Sequence, residues 1–269
     1  MSYTTIITAA ELADLDKVII LDCRAALGDP DYGARVFAEA HLPGAAYLSL
    51  DDDLAAAPGS GGRHPLPDPK TLAARLAALG CNNDQQIVVY DDAGGAFASR
   101  AWWCLRWLGH EAVAVLDGGF NAWAGELTSA VTEVVPGDFS QRKSITRTID
   151  AAELMGQLSS ITMLDARAQA RFDGLEEPID PVAGHIPGAF CMPFQGNLDD
   201  AGRFRSAAEL AARFSEFNDA DPLVCYCGSG VTAAHNILAL RIAGFAEPVL
   251  YPGSWSEWIV DTERPVATA

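Results

Sequence analysis

Short runs of aliphatic and β-branched residues, KVIILD (17–22), QIVVYD (86–91) and AVAVLDG (112–118), end at polar residues or glycine, which predicts buried strands. Between them lie segments with helical spacing, KTLAARLAALG (70–80) and SRAWWCLRWLG (99–109), the first closed by Gly80 as a C-terminal cap. Strands alternating with helices imply βα units on a mostly parallel sheet. Ligands of such sheets sit at the carboxyl ends of the strands, where loops feed helix N-termini.

The same pattern occurs twice. LDCR (21–24) matches LDAR (164–167), and HLPGA (41–45) matches HIPGA (185–189). IVVYDDAGGAFASRAWWCLRWLG (87–109) parallels LVCYCGSGVTAAHNILALRIAG (223–244), and VLDGGFNAW (115–123) parallels VLYPGSWSEW (249–258). A repeat of this length predicts two tandem domains and not a solenoid. Periodicity weakens over 132–149, where Pro136 and Gly137 break the pattern, so a linker is expected there with the boundary near residue 140 and the domains at 1–140 and 141–269. The loops APGSGGRHPLP (57–67) and DGLEEPIDPVAGHIPG (173–188) are expected in comparable places and are candidate active-site walls.

Composition narrows the function. Of 269 residues, 49% are hydrophobic and 20% charged, enough apolar material for two cores. A net charge of −18 opposes binding to nucleic acid or anionic membrane, both of which need clustered Lys and Arg. The N-terminus has no cationic leader and no apolar run approaches a membrane span, so a soluble, cytoplasmic protein is expected. The six cysteines, at 23, 81, 104, 191, 225 and 227, read as reduced thiols, mostly small buried hydrophobes. None has zinc-site spacing, so neither metal nor cofactor is expected.

One cysteine stands apart. The strand-like PLVCY (222–226) runs into Cys227, and Gly228, Ser229, Gly230, Val231 and Thr232 follow before an apolar helical stretch. Gly228 and Gly230 permit conformations that turn successive N–H groups inward as an anion-binding nest, and the helix N-terminus adds positive potential. Both favour thiolate, the nucleophilic form. The corresponding residue of the first repeat is Asp91, so only the second can do thiol chemistry. The bland alternative is that Cys227 merely ends a strand at an ordinary turn. Cys225, two residues earlier on the same strand face, reads as a buried neighbour or a resolving thiol. Trp255 and Trp258 read as packing or as pocket walls. His41 and His185, recurring in both units, read as residues that hold the fold.

These motifs resemble the tandem rhodanese-domain sulfurtransferases. The likeness spans LDCR, HLPGA, GGRHPLP (61–67), ASRAWW (98–103), LDGG (116–119), LDAR, RFDG (171–174), GHIPGA (184–189) and LYPGSWSEW (250–258). The loop CGSGVT (227–232) is similar to that of the 3-mercaptopyruvate members. The resemblance implies a silent first domain and a catalytic second one, each an α/β unit with a mostly parallel sheet flanked by helices. It further implies a Cys227 persulfide that carries sulfur from a small-molecule donor to a thiol, cyanide or thioredoxin-like acceptor. The loop amides of Gly228, Gly230, Val231 and Thr232 would line the sulfur site, and Arg171 would bind the donor carboxylate. Ser229, His64 and Asp51 correspond to a family Ser–His–Asp relay, Asp52 and Asp53 being adjacent choices for the last.

Two departures bear on the donor. The loop has no basic side chain, which disfavours an inorganic dianion, and 3-mercaptopyruvate carries its charge away from the sulfur. Yet EEPIDPVAGH (176–185) lacks a second arginine that many mercaptopyruvate enzymes have before the GHIPG motif, so thiosulfate stays open. Arg171 could instead pair with Asp173, Glu176 or Glu177. A cysteine-dependent phosphatase would need an arginine at Ala233, and a non-catalytic binding module would have no use for Cys227.

Overall fold

The computed structural model describes residues 2–269. By its contacts the chain divides into two units: 1–56, 66–145 and 200–204 form the first, and 57–65, 146–199 and 205–269 the second. The first sheet contains β1 (Ile6–Ile7), β2 (Ile19–Asp22), β3 (Ala45–Tyr47), β4 (Ile87–Tyr90) and β5 (Val113–Leu116). Their order is β1-β5-β4-β2-β3 with every pair parallel. The second sheet contains β6 (Arg147–Thr148), β7 (Thr162–Asp165), β8 (Ala189–Cys191), β9 (Leu223–Tyr226) and β10 (Val249–Leu250), in the order β6-β10-β9-β7-β8, again all parallel.

The central strands β4 and β9 are buried along their whole length, which is why IVVY and LVCY read as apolar runs without alternation. The helices begin where side chains satisfy their free N–H groups. Thr8 with Glu11 and Asp150 with Glu153 make capping boxes at equivalent places in the two units, ahead of helices Ala9–Ala13 and Ala151–Gly156. Asp68 caps the helix Pro69–Ala78, and Gly80, at φ +83°, follows its end as the sequence led one to expect.

The repeated Leu-Asp-x-Arg motif has one physical explanation in both units. Asp22 and Arg24 form a buried ion pair at 2.6 Å, as Asp165 and Arg167 do at 2.7 Å. Tyr90 Oη donates to Asp22 at 2.6 Å and accepts the Leu42 N–H at 3.3 Å, and Tyr226 Oη accepts the Ile186 N–H at 3.3 Å. The paired histidines are structural too: His41 stacks on Phe37 and His185 on Phe172, each with its Nδ1 2.7 Å from the same phenylalanine's carbonyl oxygen.

Two segments lie elsewhere than their sequence suggests. Residues 132–145 run along the first unit, the N–H groups of Gly137, Phe139, Arg142 and Ile145 bonding to carbonyls of Ala77, Cys81, Leu108 and Arg106. The loops 57–67 and 173–188 are not in comparable places: the first follows β3, whereas the second precedes β8. Sequence order alone suggested the pairing, because both loops are rich in Gly and Pro.

Asp91, directly after β4, is fully buried and takes four backbone N–H groups, those of Ala93, Gly95, Phe97 and Ala98, at 2.8–2.9 Å. The carboxylate thus fills the loop's own anion cradle. Asp91→Ala would leave those donors without an acceptor, at about 1–3 kcal/mol for each one that water cannot reach. Urea unfolding should show a loss of about 3–5 kcal/mol for Asp91→Ala, and a smaller loss for Asp91→Asn, which keeps one accepting oxygen.

Candidate active site

Cys227 directly follows β9 and is 2% exposed. The loop after it curls back so that the Gly230 N–H donates to Cys227 Sγ at 3.1 Å, and the helix Thr232–Ile242 then begins. Gly230 stands at φ +78°, and a Cβ there would collide with the Pro252 carbonyl. Only glycine allows this approach.

The turn 252–256 buttresses the cysteine from behind. Ser254 Oγ accepts the Cys227 N–H at 3.1 Å and donates to the Tyr251 carbonyl at 2.9 Å. The N–H groups of Trp255 and Ser256 donate to the carbonyls of Cys227 and Gly228 at 3.0 and 2.9 Å. Ser254 holds φ +55°, an unfavourable conformation for a residue with a side chain, where the first unit has Gly119 at φ +58°. Its hydroxyl compensates by fixing the strand end that carries Cys227. The sequence showed the GGF/GSW correspondence, yet nothing in it marked Ser254 as a partner of Cys227.

Ser229 and His64 meet in the second unit, His64 Nδ1 lying 2.8 Å from Ser229 Oγ. His64 belongs to the segment 57–65, which sequence order puts in the first domain and contacts put in the second unit. The Arg63 N–H donates to Ser256 Oγ at 3.1 Å, which ties this segment to the turn behind Cys227. Asp51 belongs to the first unit and is exposed; its neighbours Asp52 and Asp53 are engaged by Ser49, and Asp53 also by Arg75 at 3.0 Å. Val231 is buried beside Cys227 in the loop and Thr232 opens the helix.

Arg171 lies on the short helix Gln169–Phe172. Its Nε and Nη2 grip the Glu177 carboxylate at 2.7–3.1 Å, and Nη2 also reaches Asp180 at 3.1 Å. The ion pair with Glu177 therefore exists, and it aims the guanidinium: Nη1 stands 3.6 Å from where a Cβ on Gly228 would be. Burial raises the Glu177 pKa, but the bonds from Arg171 and from the N–H groups of Asp180 and Ile179 outweigh it and hold the carboxyl below its ordinary range. Arg63, which the sequence reading did not single out, approaches the same point with Nη2 at 2.9 Å and pairs through Nη1 with Asp180. A second arginine thus accompanies Arg171 although none lies between Arg171 and His185. The only sequence signal was its place beside His64.

The other thiols are poor nucleophiles. Burial pushes Cys225 well up, the neighbouring Cys227 adding to the effect, and burial pushes Cys81 and Cys191 up to about 12. Among the described residues no group of His, Cys, Asp and Glu could hold a metal ion, and no helix is long and apolar enough to cross a membrane.

Comparison with known proteins matches the Rhodanese-like domain over residues 7–126 and 149–261. A probable 3-mercaptopyruvate sulfurtransferase of Pseudomonas aeruginosa is 52% identical, covering 100% of this chain and 99% of its own length. A putative thiosulfate sulfurtransferase of Mycobacterium tuberculosis is 41% identical over 97% of this chain and 96% of its own. The solved structure of 3-mercaptopyruvate sulfurtransferase from Leishmania major superposes with a TM-score of 0.84 at 31% identity, covering 97% of this chain and 75% of that one.

The two loop glycines should respond differently to alanine. At Gly230 the left-handed backbone costs about 1–2 kcal/mol and the Pro252 carbonyl blocks the new methyl group, so urea unfolding should show a loss of at least that size. At Gly228 the nearest atoms to the methyl group are the guanidinium ends of Arg63 and Arg171, not backbone. Gly228→Ala should fold normally and lose activity through displaced guanidinium groups.

Proposed function

The chain belongs to the rhodanese-like family, with two tandem domains, and from that premise we propose that it is a sulfurtransferase taking sulfur from 3-mercaptopyruvate through a Cys227 persulfide. The observation that carries the donor assignment is the pair of guanidinium groups, Arg63 and Arg171, converging over Gly228 one residue from the thiol. They suit a carboxylate set a few atoms from the transferred sulfur.

In the first half-reaction the Cys227 thiolate attacks the donor sulfur. The new S–S bond forms as the C–S bond breaks, and its electron pair leaves with carbon as the enolate of pyruvate. That carbon takes a proton to give pyruvate, and the Ser229 hydroxyl, backed by His64 at 2.8 Å, is the group we assign to deliver it. In the second half-reaction an acceptor thiolate or cyanide attacks the outer sulfur, and Cys227 leaves as thiolate. The Gly230 N–H on Sγ stabilises the thiolate at both ends of the cycle. Cyanide, a small thiol or a thioredoxin-like protein would serve as acceptor, and the cytoplasm, where thiols stay reduced, is the proposed setting.

Thiosulfate is the second reading, favoured by the name of the Mycobacterium relative. Comparing kcat/KM for the two donors with cyanide as acceptor decides between them, and a thiosulfate value equal to or above that for 3-mercaptopyruvate would overturn the donor assignment. Cys227→Ser should abolish transfer and leave the fold intact, while Cys23→Ser or Cys81→Ser spares activity. Intact-mass measurement should show one added sulfur on the wild type and none on Cys227→Ser. Arg63→Ala and Arg171→Ala should each lower kcat/KM for 3-mercaptopyruvate about ten- to a hundred-fold, the loss of one charge-assisted hydrogen bond.

A further inference from the structure

The arginines that face Gly228 are not free cations. Asp180, its side chain 4% exposed, lies between them, paired with Arg63 Nη1 on one side and 3.1 Å from Arg171 Nη2 on the other. Glu177 grips Arg171 and lies 3.4 Å from Arg167, which is itself paired with Asp165. Three guanidinium groups, Arg63, Arg167 and Arg171, are therefore matched by three carboxylates, Asp165, Glu177 and Asp180, and the subsite is formally neutral before any donor binds. Glu177 and Asp165 each also accept backbone N–H groups and so have structural work to do. The Asp180 carboxylate instead pairs with the two arginines that face the cysteine loop.

Resting on the sulfurtransferase reading above, we propose that Asp180 sets the charge specificity for the donor: its carboxylate keeps the anion subsite neutral, so a donor bringing one negative charge is accepted and one bringing two is penalised. Coulomb repulsion from a fixed carboxylate scales with the charge of the ligand and is little screened in a site this buried. The donor carboxylate of 3-mercaptopyruvate feels it once and thiosulfate feels it twice. Ile179, the residue before Asp180, adds no cation to offset it. Asp180 acts through Arg63 and Arg171 and touches no reacting atom, so it is a positioning residue.

The isosteric Asp180→Asn removes the charge and keeps the shape. Its KM for thiosulfate should fall about ten-fold and its KM for 3-mercaptopyruvate about three-fold, the logarithm of the first change being twice that of the second. Wild-type protein supplies a second test that needs no variant. Burial raises the Asp180 carboxyl against the opposing pull of Arg63, with Glu177 raising it and Arg171 and Arg167 lowering it, and the net direction is up. As pH falls through that titration the ratio of thiosulfate to 3-mercaptopyruvate kcat/KM should rise, and in Asp180→Asn this rise should be absent. An unchanged donor ratio in Asp180→Asn, or KM values that rise for both donors because the arginines have come loose, would overturn the proposal while wild-type turnover leaves the sulfurtransferase reading standing. Wild-type protein that transfers sulfur from neither donor would take both down.

Discussion

At the carboxyl end of β7 the Asp165 carboxylate and the Arg167 guanidinium are buried against each other at 2.7 Å, with side chains 0% and 1% exposed. Two ions taken out of water cost several kcal/mol each unless nearly every donor and lone pair finds a partner. Here they do. Asp165 accepts Nε and Nη2 of Arg167 and the Arg167 N–H, while Arg167 also donates to the Gly184 carbonyl and lies over the Trp255 ring. The pair thereby fixes the end of the 173–184 loop and the helix carrying Trp255, and Glu177, 3.4 Å from Arg167, passes the constraint to Arg171. Loss of either ion would strand the other at a cost of about 3–5 kcal/mol, and the geometry around Cys227 would go with it.

The first unit keeps this frame and changes the occupant of the cradle. Asp22, Arg24 and Tyr90 stand as Asp165, Arg167 and Tyr226 do, and Arg24 lies over Phe120 as Arg167 lies over Trp255. One residue on, the units part: Asp91 closes its loop with a carboxylate that accepts four N–H groups, and Cys227 places a sulfur there instead. In the first unit the Asp91 carboxyl itself occupies the cradle, its pKa pushed up by burial against the pull of the four N–H groups. In the second a thiol sulfur stands at that point and takes the Gly230 N–H.

For the proposed anionic donor, a net charge of −18 is an obstacle that local pairing can overcome. The overall field repels anions, so attraction must come from guanidinium groups held close and partly shielded from water. Arg63 and Arg171, with side chains 29% and 16% exposed, have that placement. Carboxylates behind them hold them in position.

How much was legible in the sequence follows from the range of each interaction. Strand burial and the Gly80 helix end depend on residues a few positions apart, so periodicity and composition were enough to read them. The duplication, the two-domain α/β architecture and the position of Cys227 between a strand and a helix were legible for the same reason, because each is a pattern within one segment or a copy of it. The partner of Ser229 was legible only through resemblance. The capture of 57–65 by the second unit was legible in the same way, through His64, whereas Arg63 reaching Asp180 across 117 positions and Ser254 supporting Cys227 across 27 were not legible at all. These depend on which loops the fold brings together, and a charged side chain carries no local mark of a partner that only a folded chain brings within 3 Å.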